Sequence, residues 1–328
     1  MQPEPDREAG PEQPAPVILD PLVQRLVDAT STPPYLHELE PGAARQALQE
    51  AQGDRMDDFD VEATFHAAPV GPTGLVGFWV VRPTEVTGRP PTLLYVHGGR
   101  WMLGDGHTHA WLISELVREA GVAAVVPEYS RTPESRYPVA LEECYDLLTW
   151  AVGQSESLGL DTDRLAVAGD CAGATLATAL TLLARARGGP EICAQLLYYP
   201  LTDARCDSPS QRLFATRYPL TREAVRSYWR QYAADPRQRD EPTAAPLRAS
   251  TAALAGLPPA LVVTAEADVA RDEAEEYAGR LLRAGVAATA ARFQGTVHDF
   301  VSLTALRNSP STRAAVRLGG RFLRARLR

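Results

Sequence analysis

Short apolar runs recur along this chain with helical patterns between them, and this alternation constrains its fold more than any single residue does. Leu93 to Val96, Val122 to Val126, Leu165 to Ala168, Ile192 to Tyr199 and Leu261 to Thr264 each have the length of a buried strand. Helical patterns lie between most of them, at Trp111 to Ala120, Pro138 to Val152, Ala172 to Arg187 and Asp272 to Ala284. Strands that lack polar alternation are covered on both faces. The pattern therefore predicts an α/β fold, a mostly parallel sheet flanked by helices. Ahead of it, Val61 to Ala67 and Leu75 to Val81 read as the strands of a hairpin-like start.

The flanking segments follow different rules. Residues 1–16 are rich in Pro and Glu and are expected to be a disordered lead-in to one domain over residues 17–328. Asp20 to Asp28 and Pro41 to Gln52 read as two amphipathic helices around the turn at Pro33 and Pro34. Thr202 to Ser250 breaks the strand–helix rhythm. It is rich in Arg, Pro and aromatics and carries one helix, opened by Thr221 and running to about Ala234, so it reads as an insertion above the sheet.

Charge and cysteine content narrow the partners. A net charge of -8 argues against a nucleic-acid backbone or an anionic membrane as the main partner. The longest apolar stretch, around Leu165 to Ala184, is interrupted by Asp170, so no bilayer span is expected. The opening residues lack the basic and apolar regions of a secretory signal. Cys144, Cys171, Cys193 and Cys206 show no CxxC spacing, which suggests reduced cytoplasmic thiols rather than zinc ligands.

Four local patterns carry chemistry. Gly169-Asp170-Cys171-Ala172-Gly173 lies directly between the strand RLAVA and a long Ala/Leu helix. That is the setting of a nucleophile on a sharp strand-to-helix turn, with cysteine at the centre where serine is usual. His97-Gly98-Gly99-Arg100-Trp101 follows the strand TLLYV, and its backbone N–H groups can point at a developing oxyanion. Asp268 follows ALVVTAEA and His298 follows ATAARF, each at the carboxyl end of a strand, where open α/β sheets bind ligands. Glu266 and Asp272 compete with Asp268 for the acidic role but are less well placed. The order nucleophile, acid, histidine is that of α/β-hydrolases.

The chain resembles the hormone-sensitive-lipase-like family of α/β-hydrolases, bacterial esterases with an HGGG motif. The matching pieces are HGGRW with the following LGD, EYSRTPESRYPVALEECY, GDCAGA, DVARDEAEEYAGRL and GTVHDF. The resemblance implies an α/β-hydrolase core with a helical cap from about residues 17–55 and 202–250. It also implies Cys171, Asp268 and His298 as a triad, with an oxyanion hole from backbone N–H groups of Gly98, Gly99, Arg100 and Ala172. HGGRW is also similar to the HGGxW of kynurenine formamidase relatives. The departures are cysteine for serine in the elbow, Ala174 for its last glycine, Arg100 for the third glycine of HGGG, and Asp299 for the glycine after the histidine.

These residues lead to an expected reaction. His298, oriented by Asp268, deprotonates Cys171, and the thiolate attacks an ester or thioester carbonyl to give an acyl-cysteine. No metal or organic cofactor is needed. The substrate is expected to be a small to mid-sized acyl compound, free or on a carrier-protein arm, and a homodimer is left open. An acyltransferase or cyclase using the same residues is the rival enzyme, and a non-catalytic ligand-binding relative is the rival from another class. Tyr228, Trp229 and Tyr232 on the insertion's helix are expected chiefly to pack it onto the core, and Trp101, Tyr228 and Trp229 are the candidate substrate contacts. The Arg100 side chain is read as solvated rather than as an anion clamp.

Overall fold

The computed structural model describes residues 17–86 and 88–328, so the expected lead-in lies outside the described residues. Eight strands form one sheet: β1 (Val61–Ala68), β2 (Val76–Pro83), β3 (Pro91–Val96), β4 (Ala123–Glu128), β5 (Asp161–Asp170), β6 (Ala194–Tyr198), β7 (Ala260–Ala267) and β8 (Ala288–Val297). Their order is β1-β2-β4-β3-β5-β6-β7-β8. β1 and β2 pair antiparallel, as do β2 and β4, and the other pairs are parallel. This is the α/β-hydrolase architecture, with ten helices among the described residues: α1 (Pro21–Ala29), α2 (Pro41–Gln52), α3 (Ala110–Ala120), α4 (Val139–Gly153), α5 (Cys171–Arg187), α6 (Pro209–Leu213), α7 (Arg222–Tyr232), α8 (Thr251–Leu254), α9 (Arg271–Arg283) and α10 (Pro310–Arg326).

The chain moves outward from β3 to β4 and then returns to place β5 on the other side of β3. That reversal opens a crevice at the carboxyl ends of β3 and β5, where ligands of such sheets bind. Four chemical residues stand immediately after strand ends: His97 after β3, Cys171 after β5, Asp268 after β7 and His298 after β8. The middle strands are buried almost throughout, which is why they read as apolar runs. β5 begins earlier than its apolar run, at Asp161, and its first four residues, Asp161 to Arg164, stay partly or fully exposed. Cys193, expected on a strand, lies one residue before β6.

The outer segments are pinned to the site loops. In α2, Arg45 donates to the carbonyls of Met102 at 2.9 Å and Thr132 at 2.8 Å, and Gln52 donates to those of Thr108 at 2.7 Å and Ser302 at 2.9 Å. In the insertion, α7 buries Tyr228, Trp229 and Tyr232 toward the sheet. Among the described residues, no helix is long and apolar enough to cross a membrane.

Candidate active site

The elbow is built by close approach. A Cβ on Gly173 would collide with the backbone oxygens of Val96 and His97, so only glycine lets α5 reach β3. Cys171 opens α5 with φ 51°, a left-handed conformation that costs a non-glycine residue about 1–2 kcal/mol. The turn aims the thiol into the crevice at the positive end of a 17-residue helix.

The histidine is held from one side. Its Nδ1 lies 2.7 Å from Asp268 Oδ2, both groups being buried. Asp268 is fixed in turn, since its Oδ1 accepts the Ala270 N–H at 2.9 Å. With Nδ1 engaged, the opposite nitrogen, Nε2, has no hydrogen-bond partner. The Cys171 thiol, an imidazole nitrogen of His298 and a carboxylate oxygen of Asp299 all lie within 4.8 Å of one another. Burial opposes a charge on His298, but Asp268, the Cys171 thiolate and Asp299 outweigh it and hold the imidazole well above its ordinary value. Glu266 accepts the Gly295 N–H at 2.7 Å and Asp272 accepts the Ser210 N–H at 2.7 Å, so both competing acids serve the surrounding loops. Thiol, imidazole and carboxylate are also metal donors, but here the carboxylate is already bound to Arg100.

The loop after β3 corrects one expectation. The Gly98 N–H donates to Asp170 Oδ1 at 3.0 Å and is therefore committed before any substrate arrives. The N–H groups of Gly99 and Arg100 donate to no group among the described residues, and Ala172 lies in the first turn of α5, whose N–H groups lack helical partners. Asp170, which sequence reasoning passed over, is the buried centre of this arrangement. It also accepts the Tyr95 hydroxyl at 2.6 Å and faces His109 Nε2 at 3.3 Å. Burial lowers the His109 pKa, but Asp170 outweighs burial and raises it. His97 is pushed down to about 3, by burial first and then by the charge on His109. Of the two, His109 is the one whose surroundings favour the positive charge.

Two further expectations change. Arg100 is not solvated: it is 6% exposed and forms an ion pair with Asp299. Sequence alone does not show the pairing, because each residue by itself resembles a surface charge. Trp101 and Trp229 are buried against each other, with ring centroids 4.6 Å apart, and Tyr232 stacks on Trp101 at 4.4 Å. They fasten α7 to the loop after β3 rather than line the cavity. Tyr228 does line it. The cavity, about 310 Å³, lies between α1, α2 and α7 and has mostly apolar walls, with Arg100 and Asp299 also in its lining. Trp229→Ala should destabilise the protein by about 3 kcal/mol through the lost packing, measurable by urea denaturation.

Residues 93–302 match the alpha/beta hydrolase fold family. Ethyl acetate hydrolase of Pseudomonas putida is 38% identical over 212 residues, 64% of this chain and 66% of that one. Esterase LipI of Mycobacterium tuberculosis is 32% identical over 299 residues, 88% of this chain and 89% of that one. A solved thermostable esterase from Pseudomonas putida ECU1011 superposes with TM-score 0.92 at 37% identity, covering 96% of this chain and 99% of that one. By sequence and by structure alike, this chain belongs to the alpha/beta hydrolase fold family.

Proposed function

We propose that this protein is a carboxylic ester hydrolase that works through an acyl-cysteine on Cys171. The observation that carries the reading is the 2.7 Å contact between Asp268 and His298, which leaves Nε2 without a partner on an imidazole that has a nitrogen within 4.8 Å of the Cys171 thiol. The esterases among its relatives support the reaction class. His298 takes the proton of Cys171 and the sulfur attacks the carbonyl carbon. The N–H groups of Gly99, Arg100 and Ala172 receive the oxyanion, and His298 returns the proton to the leaving group. Segments 17–55 and 202–250 act as the cap, with the acyl group in the cavity beside Tyr228.

A sulfur nucleophile narrows the substrate. The thiolate is a better leaving group than an alkoxide, so the intermediate from an alkyl ester tends to collapse backward unless the alcohol is protonated as it departs. Thioesters escape that penalty, because the two departing groups are alike. Thioesters of small thiols or of a carrier arm are therefore the preferred substrates, with alkyl esters slower. Acyl transfer is the second reading, favoured by burial: Cys171 is 0% and His298 2% exposed, which restricts water at the intermediate.

Intact mass spectrometry after brief exposure to a chromogenic short-chain ester tests the reading. The expected result is one acyl adduct, mapped to Cys171, that forms and decays with turnover. Neither turnover nor an adduct would leave a ligand-binding role in front. New amide or ester products on adding amines or alcohols would favour transfer.

A further inference from the structure

Arg100 and Asp299 are 199 residues apart in sequence and both have left-handed backbones, φ 58° and 64°. Such a backbone is unfavourable for any residue other than glycine, and each stands where the resembled pattern has glycine. Here the two side chains meet in one buried ion pair. Burying two charges is costly unless they are well paired, so simple packing would be served better by apolar side chains. The pair lies against the reacting groups. Asp299 Oδ1 is 3.5 Å from His298 Nε2, and its carboxylate is within 4.8 Å of both the thiol and the imidazole.

We propose that Arg100 and Asp299 hold Cys171 and His298 in the thiolate–imidazolium form. Asp299, 3.5 Å from Nε2, stabilises the positive charge of the imidazole, while the Arg100 guanidinium stabilises the negative sulfur. The proton leaves the thiol for Nε2, and the electron pair stays on sulfur. Such a device suits a thiol and would do little for a serine hydroxyl, whose proton is far harder to remove. Three of the four departures, Cys171, Arg100 and Asp299, thus form one functional cluster. Burial opposes the charge on Arg100, but Asp299 outweighs it and the Cys171 thiolate adds to the effect, so the guanidinium stays charged. The other groups facing the couple are Asp268 at Nδ1, the Tyr199 ring 4.7 Å from the imidazole, Tyr228 from α7 and Tyr129 after β4. Burial pushes these three tyrosines up, so they stay neutral. Asp170 lies behind the elbow and is held by Tyr95, Gly98 and His109.

The proposal rests on Cys171 being the nucleophile, and its test separates the two. The probe is iodoacetamide, which is neutral, with the adduct mapped by mass spectrometry and the rate at Cys171 followed against pH. In the wild type the rate should rise in two steps, first as the thiol ionises beside the imidazolium and again as the imidazolium loses its proton. Arg100→Gln should raise the first midpoint, because a cation beside the thiolate is lost. Asp299→Asn should lower the second, because an anion beside the imidazolium is lost. The double variant, which removes both charges and leaves neither partner buried alone, should bring the midpoints closer by about one pH unit. Unmoved midpoints in all three folded variants, with only the plateau rate altered, would reduce the pair to packing or access and overturn the proposal. A single rise at the ordinary thiol value in the wild type would overturn it as well. If Cys171 in the folded wild type is not alkylated at any pH, the nucleophile assignment itself has failed.

Discussion

Asp268→Asn is expected to lower kcat by about 10³–10⁴-fold while the protein still folds. In the proposed mechanism the carboxylate receives the Nδ1 proton of His298 and so keeps Nε2, which has no hydrogen-bond partner, as the base. An asparagine amide can instead present N–H to Nδ1. That reverses the tautomer and puts a proton on the nitrogen that has to accept one. The asparagine oxygen can still take the Ala270 N–H, so the loop after β7 has no reason to collapse. The pH dependence supplies a second check. His298 has its pKa raised above 6.5 by folding, so its charged form contributes stability fully below about that pH. The contribution is lost as pH rises through the raised value. Removing the Asp268 charge lessens the shift, so the thermal deficit of Asp268→Asn should be largest on the acid side and fade upward. Steady-state kinetics and thermal melts across pH measure both. A fall in kcat of less than about tenfold would leave Asp268 as a loop anchor and place the orienting acid elsewhere.

The parts of this site legible in the sequence were those whose chemistry is local. Cys171, Asp268 and His298 each follow a buried strand directly, and a buried strand is written as an apolar run. Their spacing along the chain is then the spacing of strand ends along one edge of a sheet, which is why the order of three residues carried so much. What the sequence concealed was pairwise. Arg100 and Asp299 look like two surface charges until the fold brings them together. Gly98 looks like a free donor until Asp170 is placed behind it. Trp101 and Trp229 were expected on a cavity wall because aromatic content cannot distinguish a wall from a seam. Helix α10 is hard to read from the sequence for a related reason: its Gly319-Gly320 pair weakens the helical signal, yet a Cβ at either would collide with Tyr198 or Glu119. Helix propensity is a weak prior, and close packing overrode it.

Asp170→Asn tests the least legible of these contacts, and the expected effect is double: a loss of about 3 kcal/mol of stability and a fall of about 10²-fold in kcat. Asp170 is fully buried and ties the elbow to the loop after β3 through the Gly98 N–H, while Tyr95 and His109 compensate its charge. Neutralising it leaves the His109 cation buried without its partner. It also slackens the peptide whose next two N–H groups are the proposed oxyanion donors, and donors of this kind act through fixed position. The pH dependence identifies the cause. Burial raises the Asp170 pKa, but His109 and Tyr95 outweigh it and hold the value below 3.8, while that of His109 is raised above 6.5. The carboxylate's contribution is present above about 3.8 and lost as pH falls through its lowered value; the imidazolium's is present below about 6.5 and lost as pH rises through its raised value. The two overlap fully between those pH values, so the stability gap between wild type and Asp170→Asn should be widest there and narrow on both sides. A gap independent of pH would mean that the asparagine costs packing alone. A full loss of stability with kcat unchanged in the surviving folded protein would separate the buried pair from the oxyanion loop it is argued to hold.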